Sequence, residues 1–182
     1  MFIYISNTAH YKEVLSRVQS VKHMLWIGTA DIKDLYVDVG KEKKPFLALI
    51  AQLIRRGVDV RLIHAKEPGP NFREDFDKYP VLYDRLERVL CPRVHFKMLV
   101  FDGKEAYIGS ANLTGAGIGM KTDNKRNFEA GILTFEVRIT LFFVLKTNTC
   151  IKKRILPMPW QVSPDCGQWL SARIRFSPQS SP

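Results

Sequence analysis

Apolar residues along this chain switch between two spacings. Phe2 to Ile5 is a short apolar run that reads as a first strand. Thr8 stands where a helix cap would, and Val14, Leu15, Val18, Val21 and Leu25 then recur at helical intervals, which predicts an amphipathic helix over roughly 9–23. Leu25 to Ala30 reads as a buried strand. The stretch from Asp31 to Lys44, with Gly40 and a basic cluster at Lys41, Lys43 and Lys44, is expected to be a loop holding a helical turn. Pro45 suits the first turn of a helix whose apolar face is Phe46, Leu49, Ile50, Leu53 and Ile54, and Gly57 ends it. Val58 to His64 alternates as a strand does. Helix, glycine and strand thus repeat the order of the first unit, which predicts an α/β sandwich.

Pro68, Gly69 and Pro70 break the pattern. Phe72, Phe76, Leu82, Leu86 and Val89 are spaced for one or two short helices. Arg93 to Phe101 is expected to be a strand, Gly103-Lys104 a hairpin turn, and Glu105 to Ile108 the returning strand. Gly109 to Gly119 is a glycine-rich loop, and Asn127 to Phe135 another strand. Val137 to Val144 is β-branched and aromatic and reads as a further strand. Beyond Lys146 periodicity is lost among Pro157, Pro159, Pro164 and Gly167, and the end is expected to be disordered. No internal repeat or linker marks a second fold. The chain divides into a folded domain, 1–136, and an atypical C-terminal segment, 137–182.

Charge sharpens this picture. Over 182 residues, 28 Lys and Arg face 18 Asp and Glu, a formal net charge of +10. Such a field draws polyanions, nucleic acid first and an anionic membrane surface second. Cys91, Cys150 and Cys166 are odd in number and form no C-x-x-C pair, which argues against a disulfide framework or a structural zinc site and for free thiols. The N-terminus lacks the basic region of a signal peptide, and Ile139 to Leu145 is too short to span a bilayer, so the chain is expected to be cytoplasmic, without stable membrane insertion.

The chemistry is concentrated between Val94 and Asn112. On a strand, residues two apart share a face, so His95 and Lys97 project together while Val94, Phe96 and Met98 turn to apolar packing. The hairpin brings Gly109, Ser110 and Asn112 to the mouth of the same sheet, where the bare backbone of Gly109 permits close approach. An imidazole, an ammonium, a hydroxyl and an amide around one volume suit a phosphodiester. The ammonium and the amide stabilise charge growing on the non-bridging oxygens, and a neutral imidazole can attack phosphorus to form a covalent phosphoenzyme. This chemistry calls for no metal or cofactor.

The pattern His95-x-Lys97, four residues, Asp102, six residues, Gly109-Ser110-x-Asn112 resembles the HKD motif of the phospholipase D superfamily at every position, and Leu113-Thr-Gly115 is similar to the loop that follows it. The resemblance implies an α/β/α sandwich with a central mixed β-sheet. It implies a catalytic set of His95, Lys97, Asp102, Ser110, Asn112 and Glu129. In that set His95 is the nucleophile, Lys97 and Asn112 are phosphate ligands, and Ser110 supports the pocket. Asp102 holds the hairpin, and Glu129 orients the imidazole. The superfamily uses two motifs per active site, one histidine attacking and the other acting as general acid. The full motif occurs once here, with His95-x-Lys97 read as the single H-x-K pair. A two-fold homodimer sharing its site across the axis is therefore expected. The substrate expected first is DNA or RNA, with Lys121, Lys125 and Arg126 as further binding residues. A phospholipid head-group hydrolase or transferase, or a catalytically silent nucleic-acid-binding module, are the alternatives. One departure stands out: the amphipathic helix expected after the Glu129 strand is missing from the pattern, and Lys152-Lys-Arg154, Trp160 and Trp169 stand in an unfamiliar tail.

Overall fold

A computed structural model describes residues 1–33 and 35–136. The strand expected at 137–144, the irregular tail and the second segment of the chain lie outside the described residues.

Seven strands form one mixed sheet. In chain order they are β1 (Phe2–Ser6), β2 (Met24–Thr29), β5 (Asp59–His64), β6 (Glu87–Leu90), β7 (Lys97–Phe101), β8 (Glu105–Gly109) and β9 (Ala130–Thr134), and they lie side by side as β1-β9-β8-β7-β2-β5-β6. β2, β5 and β6 run parallel, while β7, β8, β9 and β1 pair antiparallel. The parallel pair β2 and β5 requires a crossover, and helix α1 (Phe46–Arg55) supplies it, burying Leu49, Ile50, Leu53 and Ile54 as its spacing predicted. Gly57 follows at φ +85°, the left-handed backbone that ends such a helix. Two short helices, α2 (Pro70–Asp77) and α3 (Val81–Arg85), lead into β6. The main core packs α1 and the helical turns against Leu25, Ile27, Leu99, Phe101 and Leu133 of the sheet. Helices on a central mixed sheet are the architecture the resemblance implied.

Four local expectations are corrected. The segment His10–Ser20 buries Val14, Leu15 and Val18 as expected but is wound wide over His10–Val14 and tight over Leu15–Ser20. The hydroxyls of Ser16 and Ser20 bond to the carbonyls of Lys12 and Arg17 at 2.7 and 2.8 Å, a local competition that disturbs regular winding. The expected loop before Pro45 is a hairpin of β3 (Tyr36–Val39) and β4 (Glu42–Pro45), turned at Gly40 with φ +63°. Its sign in the sequence was the alternation Leu35, Val37, Val39. Strand β6 had been assigned to a helix because Leu86 and Val89 also fit helical spacing; pairing with β5 decides it. Finally, β7 starts at Lys97 and β9 at Ala130, so His95 and Glu129 sit on the coil just ahead of their strands.

Strand register collects one edge of the sheet. Thr29 pairs with His64, Gly28 with Met98, Lys97 with Gly109, Gly109 with Gly131 and Ser6 with Ala130. The carboxyl ends of β2, β5 and β8 therefore meet the amino ends of β7 and β9, the end of a mixed sheet where ligands bind. Close packing beneath this edge depends on missing side chains. A Cβ on Gly109 would stand 2.2 Å from the Tyr107 hydroxyl and 2.7 Å from the Ala130 carbonyl, and one on Gly131 would stand 2.5 Å from the Tyr107 ring. Tyr107 lies across this glycine pair.

Candidate active site

His95 is exposed, while Lys97 beside it is buried at 7% relative exposure. The Lys97 ammonium donates to the His95 carbonyl at 2.7 Å and stands 3.5 Å from both Nδ1 and Nε2 of the imidazole. Among the described residues no carboxylate pairs with Lys97. A buried cation without a counter-charge is costly, and an anion arriving at the imidazole would supply that charge.

Asn112 is held from behind. Its Oδ1 accepts the backbone N–H of Asp31 at 3.1 Å and the Thr29 hydroxyl at 3.4 Å. Because a backbone N–H only donates, this contact fixes which amide atom is oxygen and leaves the Asn112 NH2 for another acceptor. The single hydroxyl hydrogen of Thr29, fully buried, is shared with the nearer Asp31 carbonyl at 2.8 Å, and its oxygen accepts the Leu113 N–H at 3.2 Å. One hydroxyl thus ties the end of β2 to the loop that carries Asn112. Sequence reasoning missed Thr29; its signal was a polar residue closing an otherwise apolar strand.

The Ser110 hydroxyl donates to the Glu129 carboxylate and accepts the Ala130 N–H at 3.1 Å. Glu129 accepts the Asn127 amide at 3.1 Å through its other oxygen, and Asn7 brackets its backbone with bonds of 3.1 and 3.3 Å. Glu129 therefore reaches the site through Ser110, and no hydrogen bond among the described residues joins it to the His95 ring.

Asp102 lies elsewhere. It occupies the β7–β8 turn at φ +52°, five residues beyond Lys97, which along a strand is about 16 Å. Its carboxylate accepts the N–H groups of Lys22, His23 and Met24 at 3.1, 2.7 and 3.0 Å. Burial alone would raise its pKa, but the backbone donors of Met24, His23 and Lys22 outweigh that and hold it below the usual carboxylate range. The motif's aspartate is thus separate from the other residues of the expected set. Lys121 and Lys125 are exposed on the segment after the glycine loop, while Arg126 is paired with Asp123 at 2.9 Å. The loop holds them: the Lys121 and Met120 N–H groups bond to the Gly115 carbonyl, at 3.1 and 3.0 Å.

His95 is not the only histidine with a lysine two residues on. His10 with Lys12 and His64 with Lys66 share the spacing, which corrects the reading of a single H-x-K pair. Neither has the aspartate or the Gly-Ser that follow His95 in the full motif, and both rings are fully buried. Burial lowers the His10 pKa, against the pull of the Asn7 carbonyl and Glu129. Burial, then the Arg88 charge, lowers that of His64 to about 4. Cys91 is buried, and Cys150 and Cys166 lie outside the described residues. Among the described residues, no three His, Cys, Asp or Glu side chains gather where they could hold a metal ion, and no helix is long and apolar enough to cross a membrane.

Comparisons with known proteins bear on the family and the fold. The family model for the cardiolipin synthase PLD-like domain matches residues 14–141. No curated protein matches the sequence. Among solved structures, the fold is similar to Nuc from Salmonella typhimurium, a phospholipase D family member, at 14% identity and a TM-score of 0.60 over 81% of this chain and 91% of that one. It is similar to phosphatidylserine synthase of Haemophilus influenzae Rd KW20 at 12% identity and 0.59, over 84% of this chain and 37% of that one. It also resembles TrmBL2, an archaeal chromatin protein whose structure shows a mode of DNA binding, at 14% identity and 0.53, over 81% of this chain and 50% of that one. With a family model spanning most of the chain and a sheet edge that assembles the H-x-K and Gly-Ser-x-Asn groups, the chain belongs to the phospholipase D-like domain family described for cardiolipin synthase.

Proposed function

We propose that the chain is a phosphodiesterase that cleaves DNA or RNA without a metal ion, through a covalent phosphohistidine at His95. The observation that carries this reading is the buried Lys97 ammonium, without a carboxylate partner among the described residues, 3.5 Å from the exposed imidazole. A phosphodiester's non-bridging oxygens complete the charge of Lys97 and accept the free Asn112 amide hydrogens, which stabilises charge as it grows. An imidazole nitrogen of His95 attacks phosphorus, the bond to the leaving oxygen breaks, and a P–N bond forms. A general acid gives the leaving oxygen its proton. It then takes a proton from water, whose oxygen displaces the imidazole and restores the enzyme. His10 and His64 are buried, and His23, though exposed, sits beside Asp102 at the other end of β7, so this acid is best supplied by His95 of a second copy across a two-fold axis. The homodimer is part of the proposal.

Nucleic acid is favoured over lipid by the net charge of +10. The test is cleavage of single- and double-stranded DNA, RNA and short-chain phosphatidylcholine in EDTA, with wild type and His95→Asn, beside light scattering. Cleavage of nucleic acid with chelator present, lost by several orders of magnitude in His95→Asn, is expected. Release of lipid head groups alone would transfer the reading to phospholipids. Binding without turnover, unchanged in His95→Ala, would make the chain a silent binding module. An active monomer would refute the shared site.

A further inference from the structure

Phe128 is 90% exposed, more than any other large apolar side chain among the described residues. Scattered surface apolar residues are common; the placement of this one is not. It stands between Asn127 and Glu129, both anchored. The Asn127 N–H bonds to the Ala116 carbonyl at 3.1 Å, the Asn127 amide to the Glu129 carboxylate at 3.1 Å, and the Glu129 backbone to Asn7 at 3.1 and 3.3 Å. The residue after Phe128 accepts the Ser110 hydroxyl, and Ser110 follows Gly109, the partner of Lys97 in the sheet. An uncovered aromatic ring is therefore carried on braced backbone, one residue from the Glu129 carboxylate that holds Ser110. Exposed Lys121 and Lys125 precede it in the chain and add positive charge.

We propose that Phe128 is the specificity-determining contact of this site, a platform on which one unpaired base stacks beside the scissile phosphate. The proposal rests on the nucleic-acid reading above. Every base has a π-face, so stacking adds affinity without selecting sequence. A duplex hides its base faces, so the ring rewards a strand whose bases are free. The flanking lysines meet phosphates, so the substrate's alternation of base and phosphate matches an aromatic with cations on one segment.

The test compares wild type, Phe128→Ala and Phe128→Trp on three substrates: a single-stranded DNA oligonucleotide, its duplex, and an oligomer of abasic sugar-phosphate units of equal length. Phe128→Ala should raise KM on the base-bearing single strand about tenfold, in line with the loss of one stacked base. It should leave KM on the abasic oligomer unchanged. Phe128→Trp should match wild type, and melting should be unaltered because the side chain is uncovered. Several results would overturn the inference: an equal loss on both strands, no loss on either, a fall in molar mass by light scattering in Phe128→Ala, or a loss of binding to phosphatidylglycerol vesicles in place of the nucleic-acid effect. The last two would make the ring a subunit or a membrane contact. If wild type cleaved nucleic acid and Phe128→Ala did so equally well, stacking alone would fall. If wild type cleaved only phospholipid, the proposed function would fall and the stacking with it.

Discussion

Asp102 offers the sharpest separation of structure from chemistry, because the motif groups it with the catalytic residues while the fold places it at the other end of β7. Its carboxylate satisfies three backbone N–H groups between Lys22 and Met24, at 2.7 to 3.1 Å. Hydrogen bonds to a charged group contribute about 1.5–3 kcal/mol each. Lys22 and His23 are exposed and their N–H groups can rehydrate, so about 1 kcal/mol for each of the three is a fair discount, or about 3 kcal/mol together. Alanine at φ +52° adds about 1 kcal/mol of left-handed strain. Asp102→Ala should therefore lose about 4 kcal/mol, Asp102→Gly about 3, and Asp102→Asn, which tolerates this backbone and keeps one neutral acceptor, about 2. At this chain length 1 kcal/mol is about 2–4 °C, so Asp102→Ala should melt about 8–16 °C lower. The pH dependence has a definite sign. The folded pKa lies below the unfolded value of about 3.9, so the unfolded chain binds the proton first. The stabilisation is complete above about pH 4 and fades as pH falls through the folded value. Urea melts of wild type and Asp102→Asn between pH 3 and pH 7 should differ by a constant amount above about pH 4 and converge below it. Turnover measured well below the melting point should survive Asp102→Asn nearly intact. If that variant kept its stability but lost turnover as His95→Asn does, the separation drawn here would be wrong.

Two further outcomes test buried polar groups, one tied to the site and one in the neighbouring strand. Thr29→Val removes a buried hydroxyl that links Asp31, Asn112 and Leu113; it should cost about 2 kcal/mol in urea melts and lower kcat about tenfold by loosening Asn112, with Thr29→Ser restoring most of both. Unchanged kcat in a destabilised Thr29→Val would show that Asn112 needs no such tether. His64 protonates near pH 6.5 in the unfolded chain but near 4 when folded, so stability should decline as pH drops from about 6.5 to about 4, by up to about 3 kcal/mol. His64→Gln should flatten that slope whatever its effect at pH 7, and a slope equal to wild type would place the titration elsewhere.

Much of this architecture is local and therefore legible in the residues. α1 announces itself through Leu49, Ile50, Leu53 and Ile54 at helical spacing with Gly57 behind them. The β7–β8 hairpin is marked by its turn, and six residue types at fixed offsets between His95 and Asn112 are a pattern chance rarely makes. Bonds across the fold decided the rest, since they join residues with no local signature. Thr29 and Leu113 meet over 84 positions, Met24 and Asp102 over 78, Asn7 and Glu129 over 122. Short strands such as β6 and β3 carry too few residues for their period to outvote a helix, and only a paired neighbour settles them. The three H-x-K spacings make the same point. By that spacing alone they are equal; Asp102 and Gly109-Ser110 mark out His95 in the sequence, and the structure adds exposure, which depends on how the whole chain packs.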